Sequence, residues 1–271
     1  MTELDLPLNK ETFVSLILDR LTREKDALAL QYQNPEGTAT RHLIIDNLFP
    51  PEITKAIYDA FPSQGEGFKQ QDSFREHKKT SSHINQYAPI LQDVTYALQD
   101  PRIVKLVGEI TGIPALEPDP MLYAGGLSMM FQGDFLNPHI DNSHDGNRQK
   151  FRQLNLLFYV SPEWGEGTGG NFELWNDDRT MPKTLHSRFN RLVVMETNKT
   201  SWHSVSKVTV PRVRCCLSNY FYSEESPDGT DYYHYTSFEG RPDDELSRKA
   251  KSKLDHGLRS VMAKVIKPNK N

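Results

Sequence analysis

Phe131-Gln132-Gly133-Asp134-Phe135-Leu136-Asn137-Pro138-His139-Ile140-Asp141 is the stretch on which the fold of this 271-residue chain turns. Side chains two apart on an extended strand project to the same face, so His139 and Asp141 can reach one metal while Ile140 packs the other way. Two neutral imidazoles and one carboxylate are the ligand set that holds Fe(II) on one face and leaves the other positions open. The second imidazole must then come from a strand remote in sequence but adjacent in space. His203 sits where that requires, after the apolar run Leu192-Val193-Val194-Met195, beside Trp202, and ahead of the strand-like Val208 to Tyr222. With nine histidines and 36 acidic residues, a His-x-Asp arises easily by chance, so the surrounding residues have to decide.

Those surroundings fall into ordered blocks. Phe131 to Leu136 reads aromatic-x-Gly-Asp-x-Leu ahead of the His-x-Asp. Downstream come Arg152-Gln153-Leu154-Asn155-Leu156-Leu157-Phe158-Tyr159, a turn ending at Trp164, and the strand opening Gly169-Gly170-Asn171-Phe172-Glu173-Leu174-Trp175. From about Phe131 to Phe221 this pattern resembles the 2-oxoglutarate/Fe(II)-dependent dioxygenase superfamily, and within it the prolyl-hydroxylase-like branch. The resemblance implies an α+β, mainly β fold. Its core is a double-stranded β-helix, a jelly-roll or cupin-like barrel, buttressed by N-terminal helices. It also implies Fe(II) held by His139, Asp141 and His203, 2-oxoglutarate as cosubstrate, and ascorbate as a supporting reductant. Related halogenases replace the carboxylate with a small residue, so Asp141 points to hydroxylation, with desaturation or ring closure as variants.

A dicarboxylate that chelates iron through its 2-oxo acid end buries its far carboxylate, which needs a charged, hydrogen-bonding partner. Arginine suits, because its planar fork engages both oxygens and stays protonated when desolvated. Arg214 and Arg212 share strand parity as candidates. Arg214 is favoured by the apolar strand that follows it and by the offset of Tyr220-Phe221, which matches the resembled family. Tyr159 aligns with a tyrosine that the branch uses at the same carboxylate, and Asn155, on the same face, is a further candidate for cosubstrate or substrate.

The chain is long enough for one large core, and it reads as one domain over 1–271: a helical support region at 1–120 with a short strand, the barrel at 121–222, and a C-terminal segment and helix at 223–271. A helix is expected up to about Tyr32, a strand at His42 to Phe49, a helix opened by Pro50-Pro51, and a helical region from Leu91 to Thr111 ending at Gly112. The polar stretch from Ser63 to about Asn85 reads as a loop or lid, and loops are expected at Asn142–Lys150 and Asn176–Ser187. His144, in the first of these, is expected to be solvent-exposed. The aromatic run from Asp231 to Pro242 is placed over the site mouth or the barrel edge, and a helix is expected from Asp243.

A mean hydropathy of −0.63 describes a soluble chain. No apolar run approaches the ~18 residues of a membrane span, and the first residues lack a basic start followed by an apolar core. The adjacent Cys215 and Cys216 are unsuited to a structural disulfide, so a cytoplasmic location is expected, with no membrane partner. The net charge of −4 supplies no dominant basic face, and the Arg212-x-Arg214 pair departs from the Arg-x5-Arg of base-dealkylating relatives, so no nucleic-acid partner is expected. The expected partners are O2 and a small-molecule or peptide substrate. The expected reaction hydroxylates an unactivated C–H bond of an amino-acid-like molecule or a peptidyl side chain such as proline, converting 2-oxoglutarate to succinate and CO2. A catalytically silent barrel that binds a ligand or partner is the reading from another class. Such a barrel usually loses a metal ligand or the anchoring arginine, and both are present here.

Overall fold

Strand alternation sorts the core into an inner and an outer face. The computed structural model describes residues 7–176 and 178–242. In chain order its elements are α1 (Lys10–Arg23), α2 (Lys25–Gln33), β1 (His42–Asp46), α3 (Pro51–Asp59), β2 (Lys69–Asp72), β3 (Glu76–Ser81), a 3-10 turn (Ile84–Gln86), α4 (Pro89–Leu98), α5 (Pro101–Thr111), β4 (Glu117–Pro118), β5 (Gly126–Met130), β6 (Phe135–Ile140), β7 (Phe151–Tyr159), β8 (Phe172–Trp175), β9 (Pro182–Leu185), β10 (Arg191–Glu196), β11 (His203–Val205), β12 (Arg214–Ser223) and β13 (Ser237–Phe238). The helix expected from Asp243 lies outside the described residues.

The strands pair in the order β1-β10-β7-β12-β5-β3-β6-β11-β8-β9, one antiparallel sheet that curls into the expected jelly roll. On β7, Leu154, Leu156 and Phe158 face outward. With Leu192 and Val194 of β10 and Cys215, Leu217 and Phe221 of β12, they join Phe13, Ile17, Ile53, Leu91, Val94 and Ile103 of the helices in one apolar cluster. The intervening residues face inward, where Tyr159, Val193, Met195 and Cys216 meet Phe172, Leu174 and Val205 from the opposite half of the curl. Phe49 ties the helical layer to the sheet through edge contacts to Phe13 and Phe158, with ring centroids 5.5 and 5.4 Å apart. The helices therefore shield the outer face of the β1-β10-β7-β12 half and leave the inner face free for a site.

Several boundaries differ from the sequence expectations for local reasons. The N-terminal helix is interrupted at Glu24, whose φ/ψ of −108/10 leaves the helical region. The Leu91–Thr111 region is two helices, because Pro101 cannot donate the hydrogen bond that would continue the first, and Asp100 caps the second by accepting from the Arg102 backbone N–H. The polar stretch after Ser63 is a hairpin, β2–β3, and not a loop. Through β3 it joins the main sheet, pairing with β6 at Glu76 and His77 and with β5 from Lys79 to Ser81. β9 lies within the loop expected at 176–187. The strand expected from Val208 starts at Arg214.

Candidate functional site

β6 and β11 lie side by side, with His203 directly opposite His139. Asp141 follows one residue beyond the end of β6. The three residues are buried, and their ligand atoms all lie within 4.8 Å of one another. Each ring nitrogen Nδ1 faces a backbone carbonyl, that of Asn137 at 3.0 Å for His139 and that of Ser201 at 2.9 Å for His203. A proton on Nδ1 donates to that carbonyl and leaves the Nε2 lone pair pointing at the shared centre, the arrangement that metal-binding imidazoles need. His139 Nε2 is 3.6 Å from Asp141 Oδ1, and His203 Nε2 is 3.8 Å from Oδ2.

Charge favours the same protonation states. Burial and the neighbouring His203 push His139 down to about 3, and burial also lowers His203, so both rings are neutral near pH 7. Burial works against ionisation of Asp141, but the positive charge of Arg152 above all, joined by His203 and His139 only as they protonate in acid, outweighs it and holds the carboxyl below the usual range. Arg152 is itself fully buried. Its Nη1 lies 3.2 Å from Asp141 Oδ2, its guanidinium sits 4.0 Å from the Tyr220 ring centroid, and its Nη2 donates to the Tyr222 hydroxyl at 3.4 Å. Parity along β7 would put Arg152 on the helix side with Leu154. It reaches the inner face because Phe221 pairs with Leu154 while Tyr222 pairs with Arg152, so Gln153 is an extra residue that rotates the strand. That bulge carries no residue signature, and the sequence reading left Arg152 without a role.

The three residues open into a cavity of about 790 Å³ whose wall also holds Asn155, Tyr159 and Arg214. Arg214 is buried at the start of β12, donates to the Gly170 carbonyl at 3.1 Å, and lies 5.2 Å from the Tyr159 ring centroid. Arg212 precedes the strand, is about 40% exposed, and pairs with Glu163 at 3.1 Å. Asn155 donates to the Tyr220 hydroxyl at 3.2 Å. Asp141 Oδ2, Asn155 Oδ1, the Tyr159 hydroxyl and Arg214 Nε are buried without an aligned hydrogen-bond partner. Native interiors rarely leave such groups unpaired, and here four of them belong to residues of one cavity. A divalent metal beside Asp141 would satisfy its Oδ2, and a carboxylate beside Arg214 and Tyr159 would accept from the Nε and the hydroxyl, so these residues fit both groups, while the acceptor Asn155 Oδ1 is left for a donor.

The quoted motifs have structural duties around this wall. The Asp134 carboxylate accepts from the Phe131 backbone N–H at 2.8 Å and also contacts His77 Nδ1, which ties the turn before β6 to β3. Trp164 Nε1 donates to the Gly169 carbonyl at 2.9 Å and closes the turn before β8. Gly169 has φ of +67°, and a Cβ there would lie 1.9 Å from the Lys207 carbonyl oxygen, so no other residue fits. Phe238 on β13 stacks on His139 with centroids 5.1 Å apart, which places the last ring of the aromatic run against the site. His144 is a correction. It is 2% exposed, its ring packs on Phe151 and Tyr233, and Nδ1 pairs with the Ser143 hydroxyl. Tyr123 lines the cavity, whereas Met129 faces the helical core and Trp202 packs with Ile140 and Trp175.

Residues 125–222 match the model of the 2OG-Fe(II) oxygenase superfamily. The chain is similar to prolyl 3-hydroxylase OGFOD1 of Xenopus laevis, 33% identical over 90 residues that make up 30% of this chain and 18% of that protein. The chain thus matches less than a fifth of that relative's length. Among solved structures, a Pseudomonas putida prolyl-4-hydroxylase has a TM-score of 0.55 at 14% identity, covering 72% of this chain and 98% of the other. A prolyl hydroxylase from Trichoplax adhaerens, in complex with a hypoxia inducible factor oxygen degradation domain peptide fragment, has a TM-score of 0.52 at 13% identity, covering 79% and 91%. At these identities the likeness of the structures is one of fold. Among the described residues no helix is long and apolar enough to cross a membrane.

Proposed function

We propose, for a chain that belongs to the 2OG-Fe(II) oxygenase superfamily, that it hydroxylates an unactivated C–H bond of an amino-acid-like small molecule or a peptidyl side chain such as proline. The hydrogen-to-hydroxyl exchange consumes one O2 and one 2-oxoglutarate and yields succinate and CO2, one oxygen atom going to the product and one to succinate. The observation that carries this reading is the meeting of the His139, Asp141 and His203 ligand atoms in one cavity with the unpaired Arg214 Nε and Tyr159 hydroxyl.

In this assignment His139, Asp141 and His203 hold Fe(II), and the bound iron supplies activation of O2 coupled to decarboxylation of the oxo acid. Nδ1 of each histidine, held by a backbone carbonyl, keeps its ring oriented and its Nε2 free of a proton. Arg152 balances the Asp141 charge inside the barrel. Arg214 and Tyr159 anchor the far carboxylate of 2-oxoglutarate, with a charge-assisted bond from the guanidinium and a hydroxyl whose proton burial retains. Asn155 contributes a carbonyl oxygen to the same wall. The apolar Phe172, Val205 and Phe238 limit the water around the metal. The names of the three relatives given above, each a prolyl hydroxylase, support proline as the first residue to test.

Purified protein supplied with Fe(II), 2-oxoglutarate and O2 is expected to form succinate even without an added substrate, at a slow rate, and a His139→Ala variant is expected to form none above background. Equal turnover by the two proteins would sink the assignment.

A further inference from the structure

Behind the strands that carry the two imidazoles, a buried ion pair joins the end of the described chain to the barrel. The ladder between β6 and β11 slips beside the histidines: His203 faces His139, but Val205 faces Leu136, so β6 carries an extra residue between the two pairs. Such a bulge disrupts the hydrogen bonding that would otherwise set the strand register. Ser204, next to His203, points to the opposite face of β11, where it is fully buried and donates to Glu173 of β8. Arg241 reaches the same spot from beyond β13. Its Nη2 lies 2.6 Å from Glu173 Oε2, 3.3 Å from the Ser204 hydroxyl and 3.1 Å from the Val205 carbonyl oxygen, on the far side of the slip.

The segment that leads to Arg241 is pinned at its other end as well, where the His234 backbone N–H donates to the Ser143 hydroxyl at 3.0 Å and its carbonyl accepts from the Ser143 N–H at 3.1 Å. Between these points β13 pairs with β6, and Phe238, opposite His139, stacks on its ring. With only two residues, β13 is shorter than an ordinary strand, so its ladder by itself holds Phe238 weakly. Glu239 pairs with Arg179 at 2.8 Å, but both side chains reach solvent, where such pairs contribute little. The Glu173 and Arg241 side chains are 9% and 18% exposed. A shielded ion pair adds little net stability, because desolvating both charges offsets their attraction, and the best-attested use of such a pair is to fix register.

Resting on the metal-site assignment proposed above, we infer that Arg241 is a positioning residue for the metal centre. By clamping the segment after β13 to the back of β11, it holds Phe238 on His139 and keeps His203 in register with His139. Its loss removes no ligand, yet it frees the two imidazoles from their fixed spacing.

The test is binding of Mn(II) alone by the full chain without O2, read by calorimetry, so that no turnover enters. Arg241→Met is expected to weaken Mn(II) binding about ten- to hundred-fold, the range found for groups that orient metal ligands from outside. It also strands the buried Glu173 carboxylate and should lower the melting temperature of the metal-free protein. Arg241→Met combined with Glu173→Gln removes that charge, so its melting temperature should return toward the wild-type value while its Mn(II) affinity stays low. Recovery of both quantities would mean that Arg241 only neutralises Glu173, and recovery of neither would mean that the two roles are one; either result overturns the inference, as does an Arg241→Met variant that binds Mn(II) as tightly as wild type. The wild type separates the causes: if it binds Mn(II), only the role of Arg241 has failed, and if it binds none, the metal-site assignment fails with it.

Discussion

Arg214 and Arg212 are two residues apart and differ in what surrounds them. Arg214 is buried with its Nε unpaired, whereas Arg212 pairs with Glu163 in solvent. If Arg214 anchors the cosubstrate, removing it leaves a buried carboxylate without a charged donor, at a cost of about 2–3 kcal/mol, or roughly 30- to 150-fold. Arg214→Ala is therefore expected to raise the 2-oxoglutarate requirement for succinate formation by that factor, and Arg212→Ala to change it less than two-fold. The opposite ranking in a titration would reassign the anchor. Strand parity alone could not separate the pair, because parity has meaning only once it is known where the strand begins, and β12 begins at Arg214. His144 and Arg152 teach the same lesson. The burial of one depends on rings from the tail segment, and the inward turn of the other on a bulge.

Elements show a different limit. The barrel strands are legible because β7, β10 and β12 alternate between a helix-packed face and an inner one, and local alternation is written in the residues. β3 escaped notice because neither of its faces is apolar: one looks into a polar cavity and the other to Asp134 and the surface. The Gly169-Gly170 opening of β8 was legible as a motif, and its reason is the approach of the Lys207 carbonyl. Gly169→Ala combines a left-handed φ with a backbone clash, and should lower stability by about 3 kcal/mol. Gly167→Ala, at φ +86° with nothing within 4 Å of its Cβ, should cost only about 1 kcal/mol. Urea midpoints of the two variants measure the difference, and equal losses would mean that the Lys207 contact is absent in solution.

For the whole molecule the buried imidazoles set the response to acid. Burial lowers His139 to about 3 and His234 to about 4, and also lowers His42, His144 and His203, with the charge of His203 adding to the effect at His139. In the unfolded chain each titrates near 6.5. The unfolded state therefore binds more protons below that value, and stability, complete above about pH 6.5, falls as pH drops toward the folded values by up to about 1.4 kcal/mol per pH unit for each histidine. Glu196 and Asp119, raised by burial, act in the opposite sense but are fewer. The urea midpoint of the metal-free protein is expected to fall clearly between pH 7.5 and pH 5. A flat profile over that interval would show that these rings are not buried as neutral species.

The sequence by itself determined that His139 and Asp141 share a face, that a jelly-roll core occupies the middle of the chain, and which chemistry its histidine, aspartate and arginine residues suit. These follow from strand periodicity and from residue types, which are local properties. The tertiary structure alone decided that Arg152 offsets Asp141, that Phe238 lies on His139, and that Arg241 reaches the back of β11. Each of these depends on a bulge or on the pairing of strands far apart in the chain, and neighbouring residues do not encode where such a pairing will turn a side chain.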